Sequence, residues 1–203
     1  MKTQNIQKQK GFTLVEIAIV LVIIGLLLGG VLKGQELIEN AKLKSVKADS
    51  DNIISAIYGY QDRFNALPGD DGASSTNVTG AAIATNGTVN NGVVEGNFNS
   101  VTALDESAEL IDQLRRSGFI SGGSGLAKPS SSYGGVIGVT SNAAGTSGLA
   151  VCQTGLSVEQ MGIVDNKYDD GVANTGTVLA IADAAAALDA AYDASTFGIC
   201  FIY

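Results

Sequence analysis

The stretch FTLVEIAIVLVIIGLLLGGVL, residues 12–32, is 21 residues long and carries one charge, Glu16. At 1.5 Å per residue a helix of this length spans about 30 Å, the hydrocarbon thickness of a bilayer. Ahead of it MKTQNIQKQKG, residues 1–11, holds Lys2, Lys8 and Lys10 and no acid. Positive charge before a membrane helix keeps that end cytoplasmic and sends the remainder outward. The apolar run is too long for the core of a secretory signal, and no A-x-A-like cleavage site follows it. It is therefore expected to remain attached as an anchor. A carboxylate inside such a helix costs on the order of 2.5–3.5 kcal/mol. Glu16 is thus either a functional group or a residue close enough to the interface to stay hydrated. Gly25, Gly29, Gly30 and Gly34 form two G-x-x-x-G pairs, Gly25–Gly29 and Gly30–Gly34. Such pairs let membrane helices approach closely, or are simply tolerated there.

From residue 35 the pattern changes from uniformly apolar to amphipathic. Leu43, Val46, Ile53, Ile57, Tyr60 and Phe64 recur at three- and four-residue steps, with Ser50 in the one gap. That stripe predicts one long helix over about 12–66, ended by Pro68–Gly69. Its first half is expected to pack with other copies of the chain and its second half to receive a globular head. Residues 72–101 are rich in Gly, Asn, Ala, Ser and Thr and read as a long polar loop. Gly69-Asp70-Asp71-Gly72 is expected to end the long helix and start that loop, with Asp70 accepting from nearby backbone donors.

A short helix is predicted at about 103–117, with Leu104, Ala108, Ile111 and Leu114 on one face, acids early and Arg115 and Arg116 late. Residues 133–140, 148–153 and the C-terminal FGICFIY read as strands between Gly- and Ser-rich turns. Ser157-x-x-Gln160 is a capping box for a helix to about Asn166. IADAAAALDAAYDA, residues 181–194, is helix-prone by its alanines. The fold class is α+β, a long N-terminal helix packed on a small antiparallel sheet.

Composition narrows the chemistry. Among 203 residues there is no His, which removes Ser–His and Cys–His nucleophiles. The formal charge is −8, and −11 without the three lysines of residues 1–11, so nucleic acid is not an expected partner. Only a local patch at Arg115, Arg116 and Lys128 would change that. Cys152 and Cys200 lack the spacing of a zinc site. In an exported chain a disulfide is their natural pairing, the alternative being two buried thiols. Asp165, Asn166, Asp169 and Asp170, with Gly171, form the one dense acidic cluster. They are candidate calcium ligands, since calcium takes six to eight oxygens around a tight turn. A solvated Asp-Gly turn balanced by Lys167 is the other reading.

KGFTLVEIAIVLVIIG resembles the class III signal of type IV prepilins and type II secretion pseudopilins. IENAKLK and YQDRFNALPGDD are also similar to that family, notably to a subgroup with an A-L-P-G-D ending to the long helix. Residues 106–120 keep Leu114, Gly118 and Ile120 of a further subgroup segment but lack its Trp. The resemblance implies cleavage between Gly11 and Phe12 by a prepilin peptidase that then N-methylates Phe12. It places Glu16 at the fifth position of the processed chain, where it meets the N-terminal amine of a neighbouring subunit during assembly. It further implies a leader at 1–11, a membrane and filament-core helix at 12–34, an amphipathic half at 35–67 and a pilin head at 68–203, with 72–101 as an exposed variable loop.

The implied partners are further copies of the chain, the peptidase, an inner-membrane assembly platform with its ATPase, and the membrane itself before assembly. The implied location is the bacterial inner membrane, then an extracellular filament or a periplasmic pseudopilus. Some major pseudopilins bind calcium near their C-terminal loops, which lends support to a calcium cofactor here. Lys33 stands where many members have a Pro, which bears on any unwinding of the helix. The expected function is a non-enzymatic structural subunit of a type IV pilus-like filament. The alternatives are a minor pilin or pseudopilin of a type II secretion system, and a membrane-anchored periplasmic binding domain.

Overall fold

The computed structural model describes residues 11–193 and 195–203. The expected leader, 1–11, lies outside the described residues except for Gly11. Among the described residues the order of elements is α1 (Leu14–Phe64), α2 (Ser74–Asn77), α3 (Glu106–Arg116), β1 (Ile137–Ser141), β2 (Leu149–Thr154), α4 (Val158–Tyr168), β3 (Val178–Ile181) and β4 (Gly198–Ile202). The chain divides into two compact units, Met1–Ala41 and Lys42–Tyr203.

The first unit is helix from Leu14 onward. α1 runs without interruption through Gly25, Gly29, Gly30 and Gly34. Apart from the helix's own backbone and the adjacent residues, nothing described lies within 4 Å of the Cβ position of any of the four. Lys33 pairs with Glu36 at 2.7 Å, a surface contact between neighbouring turns.

The second unit is built on the other half of α1. Leu43, Val46, Ser50, Ile53, Ile57 and Tyr60 are all buried, so the stripe is the face that packs. Against it lies an antiparallel sheet in the order β1-β2-β4-β3. Side chains alternate across a strand. Ile137, Val139 and Val151 therefore join Ile53, Ile57 and Tyr60 in one cluster, and Ile199 and Phe201 join Leu43 and Val46 in another. Ser50 fills its gap with polarity that is satisfied. Its hydroxyl accepts from the Gln153 amide at 2.8 Å, and that amide also donates to the Val46 carbonyl at 2.6 Å.

The opposite face carries Ala150, Cys152, Ile181 and Cys200, covered by Phe98, Ala143 and Ala186. Gly138 is also on this face. A Cβ there would collide with the Phe98 carbonyl, so the close pass of the loop over β1 requires glycine.

Cys152 and Cys200 stand directly opposite on β2 and β4 and are joined as a disulfide. Both are fully buried. Closing a loop of this size restricts the unfolded chain by roughly 4 kcal/mol in the chain-entropy account. The Cys152→Ala/Cys200→Ala variant is expected to melt about 10 °C below the wild type, read by thermal unfolding of the full chain in detergent. An unchanged Tm would show that the crosslink adds nothing to the packing around it.

Three expectations are corrected. Residues 181–193 do not form a helix, and residue 194 lies outside the described residues. Ala186 has φ +58°, its carbonyl accepts from Ala144, and Ala182 donates to the Ala187 carbonyl. The segment must return from β3 to its antiparallel neighbour β4, and its small side chains cover the disulfide face; that geometry overrides alanine's helix propensity. The loop at 72–101 is not simply an exposed surface, because Val78, Val94 and Phe98 are buried in the core. Leu104 is not on the α3 face. It precedes the helix in a left-handed conformation, φ +71°.

α3 ties the irregular segments together. The Gln113 side chain accepts from Gly69 N–H at 2.7 Å and donates to the Ala82 carbonyl at 3.1 Å. Arg115 donates to the carbonyls of Gly125 and Ala127. Lys128 donates to the Ser107 carbonyl at 2.5 Å. Burial, and then the charge of Arg115, push the Lys128 pKa down to about 7 from an ordinary 10.5. Between those values the unfolded chain holds the extra proton, so this group makes stability rise as pH climbs from 7 towards 10. Lys128→Met is expected to flatten that rise, measured as the Tm difference between pH 7 and pH 9. An undiminished difference would place its origin elsewhere.

Candidate functional site

Gly11, Phe12 and Thr13 precede the helix, and the chain enters α1 at Leu14. The start of the helix is a capping box. The Glu16 carboxylate accepts from Thr13 N–H and from the Thr13 hydroxyl, each at 2.8 Å, and the same hydroxyl accepts from Glu16 N–H at 3.2 Å. A carboxylate in the first turn also suits the helix dipole. Glu16 therefore has a local partner within its own chain. The T-x-x-E spacing that signals this was present in the sequence; Thr13 is the residue the sequence reading passed over.

Apart from Thr13 and Glu16, the surface around this turn is apolar. Phe12 is 83% exposed and Leu14 89%, and exposed Leu, Ile and Val side chains continue to Leu32. Moving one such side chain out of water is worth about 1.5–3 kcal/mol. α1 is long and apolar enough to cross a membrane, and none of its most apolar window is buried. What the segment can do is therefore insert, and pack against other apolar helices.

The acidic cluster forms at the C-terminal end of α4. Oxygens of Asp165, Asp169 and Asp170 lie within 4.8 Å of one another. Asp165 accepts from Gly171 N–H at 3.2 Å and from the Tyr192 hydroxyl at 2.8 Å. Asp169 accepts from Thr177 and Val178 N–H, and Asp170 from Val172 N–H and the Thr175 hydroxyl. Asn166 is turned to the helix, donating to the Gly162 carbonyl at 3.0 Å. Burial raises the Asp165 pKa despite its donors, and the charges of Asp169 and Asp170 add to the rise. Asp170 is lowered, by the Thr175 hydroxyl first and then by Val172 N–H. The Tyr192 contact was not legible in the sequence, because it comes from 27 residues away.

No curated protein and no solved structure matches the chain. Residues 6–32 match the prokaryotic N-terminal methylation motif. That motif is the class III signal of type IV pilins, and it implies processing by a prepilin peptidase. With the apolar helix it fits a membrane-anchored precursor, and it suggests a structural protein. The motif, on a chain whose long helix packs on a small antiparallel sheet, supports a type IV pilin or pseudopilin family for this protein.

Proposed function

We propose that this chain is the structural subunit of a type IV pilus-like filament. It is cut between Gly11 and Phe12, N-methylated at Phe12 and assembled from the inner membrane through α1. The observation that carries this reading is the uncovered apolar surface from Phe12 to Leu32 on the segment that bears the methylation motif. A bilayer covers such a surface in the precursor, and packed helices of other copies cover it in a filament. In that apolar surrounding Glu16 exchanges its Thr13 contacts for the N-terminal amine of a neighbouring Phe12. Opposite charges attract strongly where water is excluded, and each is costly when left alone. The heads, from Lys42 onward, give the filament its outer surface, and no enzymatic step is needed.

Antibodies against the head, used for gold labelling of filaments sheared from cells, test this directly. Label along the filament length is expected. Filaments without label, with the chain confined to membranes, would refute it. The same motif marks pseudopilins of type II secretion systems, so a short periplasmic pseudopilus is the second reading. Calcium at Asp165, Asn166, Asp169 and Asp170 belongs to this proposal as well. The closeness of the three carboxylates supports it, and the hydrogen bonds they already accept compete with it.

A further inference from the structure

Burying a carboxylate without a counter-charge is expensive. Glu106, the first residue of α3, is fully buried. One of its oxygens, Oε2, accepts from Glu95 N–H at 2.8 Å. The other, Oε1, is buried and has no hydrogen-bond partner among the described residues. Salt bridges among the described residues join Lys33 to Glu36, Lys47 to Asp51 and Arg116 to Asp112, so none reaches Glu106.

What the orphaned oxygen faces is a second carboxylate. The Cβ position of Gly87 lies 2.5 Å from Glu106 Oε1 and 2.8 Å from Glu95 Oε2. Two acids, one from α3 and one from the loop before it, thus converge over a residue without a side chain. Gly87 is not among the positive-φ residues, so its backbone does not call for glycine. The space does, because a Cβ there would run into both carboxylates. Glu95 is held in place by Thr88 N–H, 3.0 Å from Oε2, and by the Asn91 amide.

We propose that Glu106 and Glu95 form a divalent-cation site of the calcium type beneath the 86–88 turn, with the orphaned Oε1 as its buried ligand. A hard cation takes carboxylate, carbonyl and water oxygens, and among the described residues neither carboxylate has a salt-bridge partner. The α3 N-terminus favours the ionised form of Glu106. Asp70 accepts from Asn91 and Gly92 N–H, which brings the turn after α1 to the same loop. The ion would pin residues 86–95 to the start of α3. This site is separate from the cluster at Asp165, Asp169 and Asp170 and does not depend on the filament reading.

The test is thermal unfolding of the full chain in detergent, with 5 mM calcium chloride or with chelator. Extracellular calcium modules bind at about 0.1–1 mM, so a Tm rise of about 3–5 °C is expected for the wild type. Glu106→Gln keeps the shape and removes the charge. It is expected to lose the rise while its calcium-free Tm is no lower than that of the wild type. Gly87→Ala puts a Cβ against both carboxylates and pushes them apart, and is expected to lose the rise too. Asp169→Asn/Asp170→Asn is expected to keep it. No rise in the wild type would overturn the proposal. So would a rise that survives in Glu106→Gln, or one lost in Asp169→Asn/Asp170→Asn as fully as in Glu106→Gln. A wild type stabilised by acid and indifferent to calcium would show that Glu106 holds a proton instead.

Discussion

Cells whose only copy of this chain carries Glu16→Gln are expected to make few or no filaments, at least tenfold fewer than the wild type, with the chain still exported and cut. The choice of Gln separates two roles of the same residue. The Glu16 carboxylate caps α1 through Thr13. A Gln side chain can accept the same hydrogen bonds, and capping is worth only about 1 kcal/mol. What Gln lacks is the charge that would meet the amine of a neighbouring Phe12 in an apolar filament core. Glu16→Ala removes both cap and charge and is expected to be no better. Filament yield is scored by electron microscopy of sheared material, and cleavage by the size of the membrane-bound chain. Normal filament yield in Glu16→Gln cells would mean that the cap, and not an intersubunit ion pair, is what Glu16 supplies.

Gly11→Val is expected to block cleavage and leave residues 1–11 attached. The retained segment carries Lys2, Lys8 and Lys10, and the amine that Glu16 would meet is never freed. Three positive charges on the cytoplasmic side also oppose withdrawal of the helix from the membrane. The chain should accumulate as a heavier membrane-bound form, with no filaments. A normal processed mass in Gly11→Val cells would place the cut at another bond.

How far the sequence could be read depended on how far away each residue's partners lie. α1 was legible over nearly its whole length, because a stripe at three- and four-residue steps and a Pro-Gly stop are local signals. The Ser157–Gln160 capping box was legible for the same reason, and α4 begins where it predicts. β1, β2 and β4 were located within a few residues. β3 was missed, since Val178–Ile181 runs directly into alanines that favour helix in isolation. Only its pairing with β4, through Val178–Phe201 and Leu179–Cys200, makes it a strand. The burial of Phe98 in a Gly- and Asn-rich loop follows from the glycine at 138, forty residues on.

The candidate sites divide the same way. Gly11, Phe12 and Glu16 sit in one short motif and are visible from it alone. Thr13 could have been paired with Glu16 by its spacing. The meeting of Glu95 with Glu106 over Gly87 could not, because it depends on the path of an irregular loop that no periodicity describes.

The central claim is that the processed chain begins at Phe12 and forms the body of a filament. Mass spectrometry of the main band from sheared cell-surface material tests it most directly. The account predicts this chain, lacking residues 1–11 and beginning with N-methylated Phe12. A main band from another protein, or this chain with residues 1–11 still attached, would contradict it.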